Sequence, residues 1–411
     1  MSILFVGLDV SSRYIDVCCM LQDGTVVAVF RVTNDLPGVA ALGQKVAAIL
    51  TSRHLEHVRF GLEATSVYGW HVPRALRAVE ALHPYRPVTH TFNPRVIRAF
   101  KKAETYKPKN DRQDAWFIAE KLRTGRLARS VEVDDRHEAL RRLTRHRFQL
   151  VQTITAEKSR FLNNLFLKCS VAAQDRPISR LHGPTAASVL VEIHSVEELV
   201  ATPIEQLVEI LIKKSRGRLL APEEVAAAVQ KAARASYRLS KAMGDSVNFV
   251  LATSLRTIRA LEQEVKTLDT AIAELLLTIP QTLTSVKGIG PVFASGIVAE
   301  VGGIDRFPHH PALARYAGLT WTEYESGNFR AQDTRLVKEG NQYLRYYLVE
   351  AAASLVVHNA EFKRYYETKR AEVKNHAEKR ALALTARKLV RLVHALLRKD
   401  QLYRAPRTTG A

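Results

Sequence analysis

Residues Ile3 to Val10 read Ile-Leu-Phe-Val-Gly-Leu-Asp-Val, and no other stretch limits the fold as strongly. The run is apolar, contains the β-formers Ile, Phe and Val, and stops at Ser11-Ser12. It therefore reads as a buried central strand rather than a helix. Its one charge, Asp9, lies near the carboxyl end. A buried, unpaired carboxylate is costly, so Asp9 must sit at an edge, pair with a cationic group or bind an ion. Alone it reads as a strand-end acid capping the turn at Ser11-Ser12. Other carboxylates decide whether it is more than that.

The elements after it set the layout. Tyr14–Met20 and Thr25–Thr33 are strands joined by an Asp23-Gly24 turn, which makes three consecutive antiparallel strands. Asn34–Leu50 reads as a helix with Pro37 near its start and Val39, Leu42, Val46 and Leu50 at helical spacing. His57–Glu63 is a fourth strand, Tyr68–Leu82 a helix and Pro87–Phe92 a fifth strand. Asn93-Pro94 opens another helix. This order is α/β with a mixed sheet, the ribonuclease-H-like layout. From about Asp134 to Pro280 the chain reads as helical. Arg141–Phe166 and Leu255–Leu277 are long and show no caps, and the latter has the spacing of a helical hairpin or coiled coil. Leu181–Met243 between them reads as a helical insert, with Pro203 and Pro222 at helix starts. A mainly helical C-terminal domain follows, and the tail after Leu402 reads as frayed. The expected domains are 1–130, 131–280 and 281–400, with 401–411 as tail. The fold class is α/β plus all-α.

Charge points to the partner. Lys and Arg number 61 against 41 Asp and Glu, a formal net charge of +20 in 411 residues, and 46% of the chain is hydrophobic. Such a chain builds proper cores and favours a polyanion, nucleic acid before anionic membrane. The three cysteines, Cys18, Cys19 and Cys169, lack metal-ligand spacing. No run approaches a membrane span, and the first strand starts without a basic leader. The expectation is a cytoplasmic protein with reduced thiols.

Glu63 ends the fourth strand as Asp9 ends the first, and strands in this order can lie side by side. Asp111 and Asp114, spaced i, i+3 near a helix N-terminus, share a face. Such acids repel unless a cation lies between them. Four carboxylates are hard oxygen ligands suited to Mg²⁺ or Mn²⁺, and such ions serve phosphodiester chemistry. Taken singly, Asp111 is also a possible N-cap and Asp114 a partner of the helix dipole.

Two further segments bear on nucleic acid. Val286-Lys-Gly-Ile-Gly-Pro291 has the spacing of a helix-hairpin-helix, with Leu283 and Ile297 as core positions. Gly288 and Gly290 would present amide groups to phosphate and Lys287 would add charge. An ordinary glycine turn between packed helices is the alternative. Ser326 precedes a glycine on what reads as a loop, among Arg330, Arg335, Lys338, Asn341 and Arg345. These groups could hold a scissile phosphate while the serine attacks it. Equally, Ser-Gly is a common turn, and no histidine beside it suggests a hydrolase triad.

Together Gly-Leu-Asp-Val-Ser, Gly-Leu-Glu-Ala-Thr, Lys-x-x-Asp-Arg-x-Asp-Ala, Val-x-Gly-Ile-Gly-Pro and Arg-Tyr-Ala-Gly-Leu with Ser-Gly and Lys-x-Gly-Asn-x-x-Leu-Arg resemble the DEDD-type insertion-sequence transposases. That family includes the bridge-RNA-guided recombinases. The resemblance spans Gly7 to Asp114 and Leu283 to about Ala353. It implies a RuvC-like N-terminal domain joined through a coiled coil to a C-terminal transposase domain. Asp9, Glu63, Asp111 and Asp114 fall on the family's four acids and Ser326 on its serine. It also implies a covalent serine–DNA intermediate, a structured guide RNA pairing with donor and target DNA, and a homo-oligomer, dimer or tetramer, with acids and serine contributed in cis or in trans. The insert at about 181–243 lies outside the matched motifs.

The competing enzyme is a RuvC-like nuclease or junction resolvase that uses metal-activated water, with Ser326 structural. An actin-like sugar kinase would require further glycine-rich nucleotide loops, which the sequence lacks. A non-catalytic nucleic-acid-binding protein would tolerate loss of Asp9.

Overall fold

The computed structural model describes residues 2–64, 67–103, 111–125, 134–193, 195–322, 325–326, 329–330, 335–337 and 339–405, with the side chains of 103, 111, 112, 325, 326, 329 and 330 left out. The chain divides into two compact units, Met1–Glu132 and Val133–Ala411. Among the described residues no helix is long and apolar enough to cross a membrane.

The first unit runs β1 (Ile3–Val10), β2 (Tyr14–Met20), β3 (Val26–Thr33), α1 (Leu36–Ser52), β4 (His57–Glu63), α2 (Val72–Arg77), β5 (Val88–Phe92), α3 (Pro94–Ala103) and α4 (Asp111–Thr124). The sheet order is β3-β2-β1-β4-β5, so the opening strand is central. β1 is antiparallel to β2 and parallel to β4. Alternation along β1 sends Leu4, Val6 and Leu8 into a core shared with Val39, Leu42, Val46 and Leu50 of α1. Phe5 packs on the opposite face with Ala115, Ala119 and Leu122 of α4. The adjacent Cys18 and Cys19 divide between the two faces in the same way. Burial raises their thiols to about 11 and about 12, which keeps them protonated.

One expected helix is absent. Tyr68–Leu82 breaks into a 3₁₀ turn at Val67–Gly69, the short α2, and a second 3₁₀ stretch at Glu80–Tyr85 that contains Pro84. Pro73 lacks the N–H needed beyond a first helical turn, so α2 starts afresh there.

The second unit is built on α5 (Asp135–Lys168) and α11 (Lys241–Leu276). Both are longer than the periodicity alone indicated, and both are capped. Asp134 accepts from Arg136 N and Ser240 accepts from Met243 N. The two helices run antiparallel, tied by Arg147–Asp269 and Lys158–Glu262. The insert between them folds as α6 (Ser170–Asp175), α7 (Pro184–Leu190), α8 (Val196–Ala201), α9 (Ile204–Ser215) and α10 (Pro222–Ala235). Pro203 and Pro222 do stand at helix starts. The insert closes its own core against Phe161, Leu165, Val247 and Leu251 of the long pair.

The remaining elements are α12 (Pro291–Val301), α13 (His310–Ala317), β6 (Thr320–Trp321), β7 (Glu325–Ser326), β8 (Phe329–Arg330), β9 (Leu336–Val337), α14 (Gln342–His358), α15 (Ala360–Ala371) and α16 (Ala377–Lys399). Leu283 and Ile297 are fully buried in the core they form. What precedes the glycine turn, however, is only a three-residue 3₁₀ turn, Leu283–Ser285, not a helix paired with α12. The tail is not frayed at its start. Tyr403 N donates to Ser285 Oγ at 2.9 Å, and its hydroxyl lies 3.4 Å from a Glu361 oxygen.

Candidate active site

In the first unit the parallel register pairs Gly7 with Gly61 and Leu8 with Leu62. The next residues are Asp9, half-buried, and Glu63, so the two acids end neighbouring strands. The paired glycines explain why α4 also reaches this place. A Cβ on Gly7 would stand 2.0 Å from Ala115 O and 2.5 Å from Ala119 N, and one on Gly61 would press on Leu122 and Ile118. Ala115 and Ala119, four apart on one helix face, complete the close approach. Asp114 precedes Ala115 in the first turn of α4. Asp111 opens the helix, and its side chain lies outside the described residues.

Burial raises the Glu63 carboxyl above the ordinary range. The cations of Lys101 and Arg98 pull against this, and the negative charge of Asp114 adds to it. Glu63 and Asp114 therefore feel one another, and the Lys101 ammonium from α3 pairs with Asp114 at 2.8 Å. A fifth carboxylate stands beside Asp9. Asp16 of β2 is its cross-strand partner, which puts both on one face of the sheet. Asp16 is 5% exposed, and Arg31 of β3 grips it with Nε at 3.0 Å and Nη2 at 2.8 Å. That fork pairs the Asp16 carboxylate with a guanidinium, which offsets its charge toward Asp9.

Among the described residues, no three acid or His/Cys side chains yet converge as a ready metal cage. The donor set nevertheless fits a hard divalent ion: carboxylate oxygens on two strand ends and one helix, two of them close enough to interact, with the Lys101 ammonium acting on both. Sequence reasoning did not single out Asp16, Arg31, Lys101 or Arg98. The first two carried a signal, since an acid and a base stand in otherwise apolar neighbouring strands, Asp16 buried and Arg31 exposed.

In the second unit Ser326 lies on a closed excursion rather than an open loop. At its neck Gly318 has φ +67, and a Cβ on Gly340 would meet Gly318 N and Tyr316 O at 2.6 Å. Asn341 N donates to Tyr316 O at 2.7 Å. Beyond the neck β6 pairs with β9, and then β7 with β8 in register Ser326↔Phe329. Two residues, Gly327-Asn328, thus separate the paired positions. The side chains of Ser326 and Arg330, and all of Lys338, lie outside the described residues. Arg335 is exposed, and its backbone pairs with Thr322.

Two residues expected to touch phosphate are engaged inside the protein. Asn341 caps α14 through Tyr343 N and Leu344 N, and its Nδ2 donates to Glu300 Oε2 at 2.6 Å and Tyr316 Oη at 3.1 Å. Arg345 donates to Ala317 O at 3.2 Å, and burial lowers its guanidinium below the ordinary value. Glu300 is fully buried and forked by Arg145 at 2.7 and 2.9 Å. Burial opposes the Arg145 charge, yet the bonds to Glu300 hold its guanidinium above the ordinary value. A lone Glu in Gly-Ile-Val-Ala-Glu-Val was the signal for such a buried pair.

In the glycine turn, Gly288 has φ +106, and a Cβ there would stand 3.2 Å from atoms of His358 and Leu355, so it faces the end of α14. Lys287 is exposed, and Gly290 caps α12 with open space where a Cβ would stand.

A mixed sheet with acids at two neighbouring strand ends, and a helical unit that carries Ser326 on the β7–β8 pair, agrees with the layout that the DEDD-type transposase resemblance implies. The IS110-type DEDD transposase model matches residues 6–168, and the model described as "Transposase IS116/IS110/IS902 family" matches residues 280–367. "Insertion element IS116 uncharacterized 44.8 kDa protein" of Streptomyces clavuligerus is 26% identical, covering 97% of this chain and 96% of its own. "Transposase for insertion sequence element IS1111A" of Coxiella burnetii is 30% identical over 126 residues, 30% of this chain and 34% of its own. The 43.6 kDa protein of insertion element IS110 from Streptomyces coelicolor is 27% identical over 167 residues, 40% of each chain. The chain belongs to the IS110/IS116 family of insertion-sequence transposases.

Proposed function

We propose that this transposase cuts and rejoins DNA through Ser326, with Asp9, Glu63, Asp111 and Asp114 holding Mg²⁺ or Mn²⁺. The observation that carries the acidic half is the register of β1 on β4, with Gly7 and Gly61 admitting α4, which gathers Asp9, Glu63 and Asp114 at one end of the sheet. A bound divalent ion supplies positive charge to the scissile phosphate. The Ser326 hydroxyl attacks phosphorus, the bond to the leaving sugar oxygen breaks, and the serine proton passes through solvent to that oxygen, so that a phosphoserine ester joins chain to strand and a free sugar hydroxyl is released. Attack by a sugar hydroxyl of another strand reverses the step and completes the exchange. The acids and the serine serve one reaction, carried out by a homo-oligomer, dimer or tetramer. The β7–β8 pairing supports the serine role, since it sets Ser326 opposite Phe329 at the end of the pair. Lys287, Gly290, Arg330, Arg335 and Lys338 supply phosphate contacts, while Asn341 and Arg345 hold the neck of the serine-bearing segment.

A structured guide RNA, which the family resemblance alone implies, would be a second polyanion beside DNA. The coiled-coil role of α5 and α11 and the phosphate role of the Lys287 turn belong to the same reading. Incubation with a cleavable element end, followed by denaturing electrophoresis, tests it. Wild type should yield a protein–DNA adduct, and Ser326→Ala should yield neither adduct nor cut strand. Normal cutting by Ser326→Ala would instead favour metal-activated water, and the acids alone would then carry the reaction.

A further inference from the structure

α13 and α16 bring together His309, His310, Arg387 and Arg391, for which no carboxylate partner is found among the described residues. Arg387, Arg391, His394 and Arg398 follow at intervals of four, three and four along α16, so they line one face. Arg398 is paired, to Asp305 at 2.8 Å. Elsewhere on α16, Lys388 pairs with Glu361 and Arg380 with Glu372. Among the described residues Arg387 and Arg391 have no carboxylate partner. Arg387 is half-buried, and its Nη1 lies 3.4 Å from Nδ1 of His310. Burial first, and then the like charge of Arg391, lower its guanidinium below the ordinary value. His310 is lowered by burial and by Arg387, Arg391, His394 and His309, with no acid acting in the other direction. His309 accepts from Ala312 N through Nδ1, which places its ring at the positive end of α13. His394 Nε2 bonds Phe307 O at 3.0 Å, which turns that ring toward the same group.

A half-buried guanidinium set against a second cation costs stability unless an anion joins them. We propose that Arg387, Arg391, His309 and His310 form a clamp for a phosphodiester backbone, in addition to the contacts assigned above. The inference deepens the transposase reading by naming a surface that holds nucleic acid away from the serine segment. Two guanidinium forks suit phosphate oxygens, so the clamp reads backbone and not sequence.

Fluorescence anisotropy with a labelled duplex DNA and a labelled RNA hairpin, titrated with the full chain at several salt concentrations, tests the clamp. Arg391→Gln is exposed and should fold normally. It should weaken binding several-fold and reduce the salt slope by about one. Arg387→Gln/Arg391→Gln should weaken it by about tenfold or more and reduce the slope by about two, while Arg387→Lys restores part of the slope. A loss on duplex DNA assigns the clamp to DNA, and a loss on the hairpin alone assigns it to RNA. Wild-type affinity and slope in Arg391→Gln and His309→Gln, on both probes, would overturn it. That outcome is distinct from failure of the transposase reading, in which wild type itself would show no salt-dependent binding.

Discussion

At the scale of single residues, the acidic set depends on atoms that are missing as much as on carboxylates. Gly7 leaves room for the α4 backbone where a methyl group would lie 2.0 Å from a carbonyl oxygen. Gly7→Ala should therefore destabilise the first unit by about 3 kcal/mol, at the upper end of overpacking costs, and should displace Asp114. Denaturant unfolding checks the first effect and Mn²⁺ binding the second. Lys101 holds Asp114 at 2.8 Å, where a divalent ion would compete with it. Lys101→Met should bind Mn²⁺ more tightly, about tenfold, which corresponds to about 1.4 kcal/mol of lost competition. Weaker binding would show instead that the ammonium supports the ion. The positions of Asp9 and Glu63 at strand ends were legible because each closes an apolar run, and that of Asp114 in a first helical turn from its spacing to Asp111. Lys101 was not, because one cation among 61 is singled out only by what it touches. Asn341 and Arg345 were assigned to phosphate for the converse reason. A cluster of polar residues in sequence does not say which of them turn inward to cap α14 and close the neck at Gly318.

At the scale of elements, the strands and long helices followed from periodicity, while their joints did not. β1, β2 and β4 match their apolar runs because burial on both sheet faces allows little else. The stretch around Pro73 and Pro84 failed as a helix since local backbone chemistry outweighs apolar spacing. Two buried charges now make the helical unit testable. Arg145→Met leaves the fully buried Glu300 without its fork and should cost about 3 kcal/mol, measured by denaturant unfolding. In the insert, Lys168 is 5% exposed and bonds Ile193 O at 2.6 Å and Asn248 Oδ1 at 2.5 Å. Burial lowers its ammonium from 10.5 to about 8. Between those values the unfolded chain binds more protons than the folded one. Stability should therefore rise with pH by about 3 kcal/mol across that window and fall as pH drops through 8. Subtracting the Lys168→Met curve isolates the effect, and an unchanged pH dependence in that variant would contradict it.

At the scale of the whole molecule, the family membership ties together two units whose sequence signals stand some three hundred residues apart. The sheet unit carries the acids, and the helical unit carries the serine hairpin and an excess of cations. The helical insert at about 181–243, outside the matched motifs, is a closed structure on the long helix pair with a core of its own. The central claim is that Ser326 makes the bond to DNA. Tryptic digestion of the reaction with a cleavable element end, followed by mass spectrometry, tests this directly. The expected result is a nucleotide on the peptide from Tyr316 to Arg330, located at Ser326 and absent from Ser326→Ala and from Asp9→Asn. Cut strands with no nucleotide on any peptide, or a nucleotide on another residue, would contradict it.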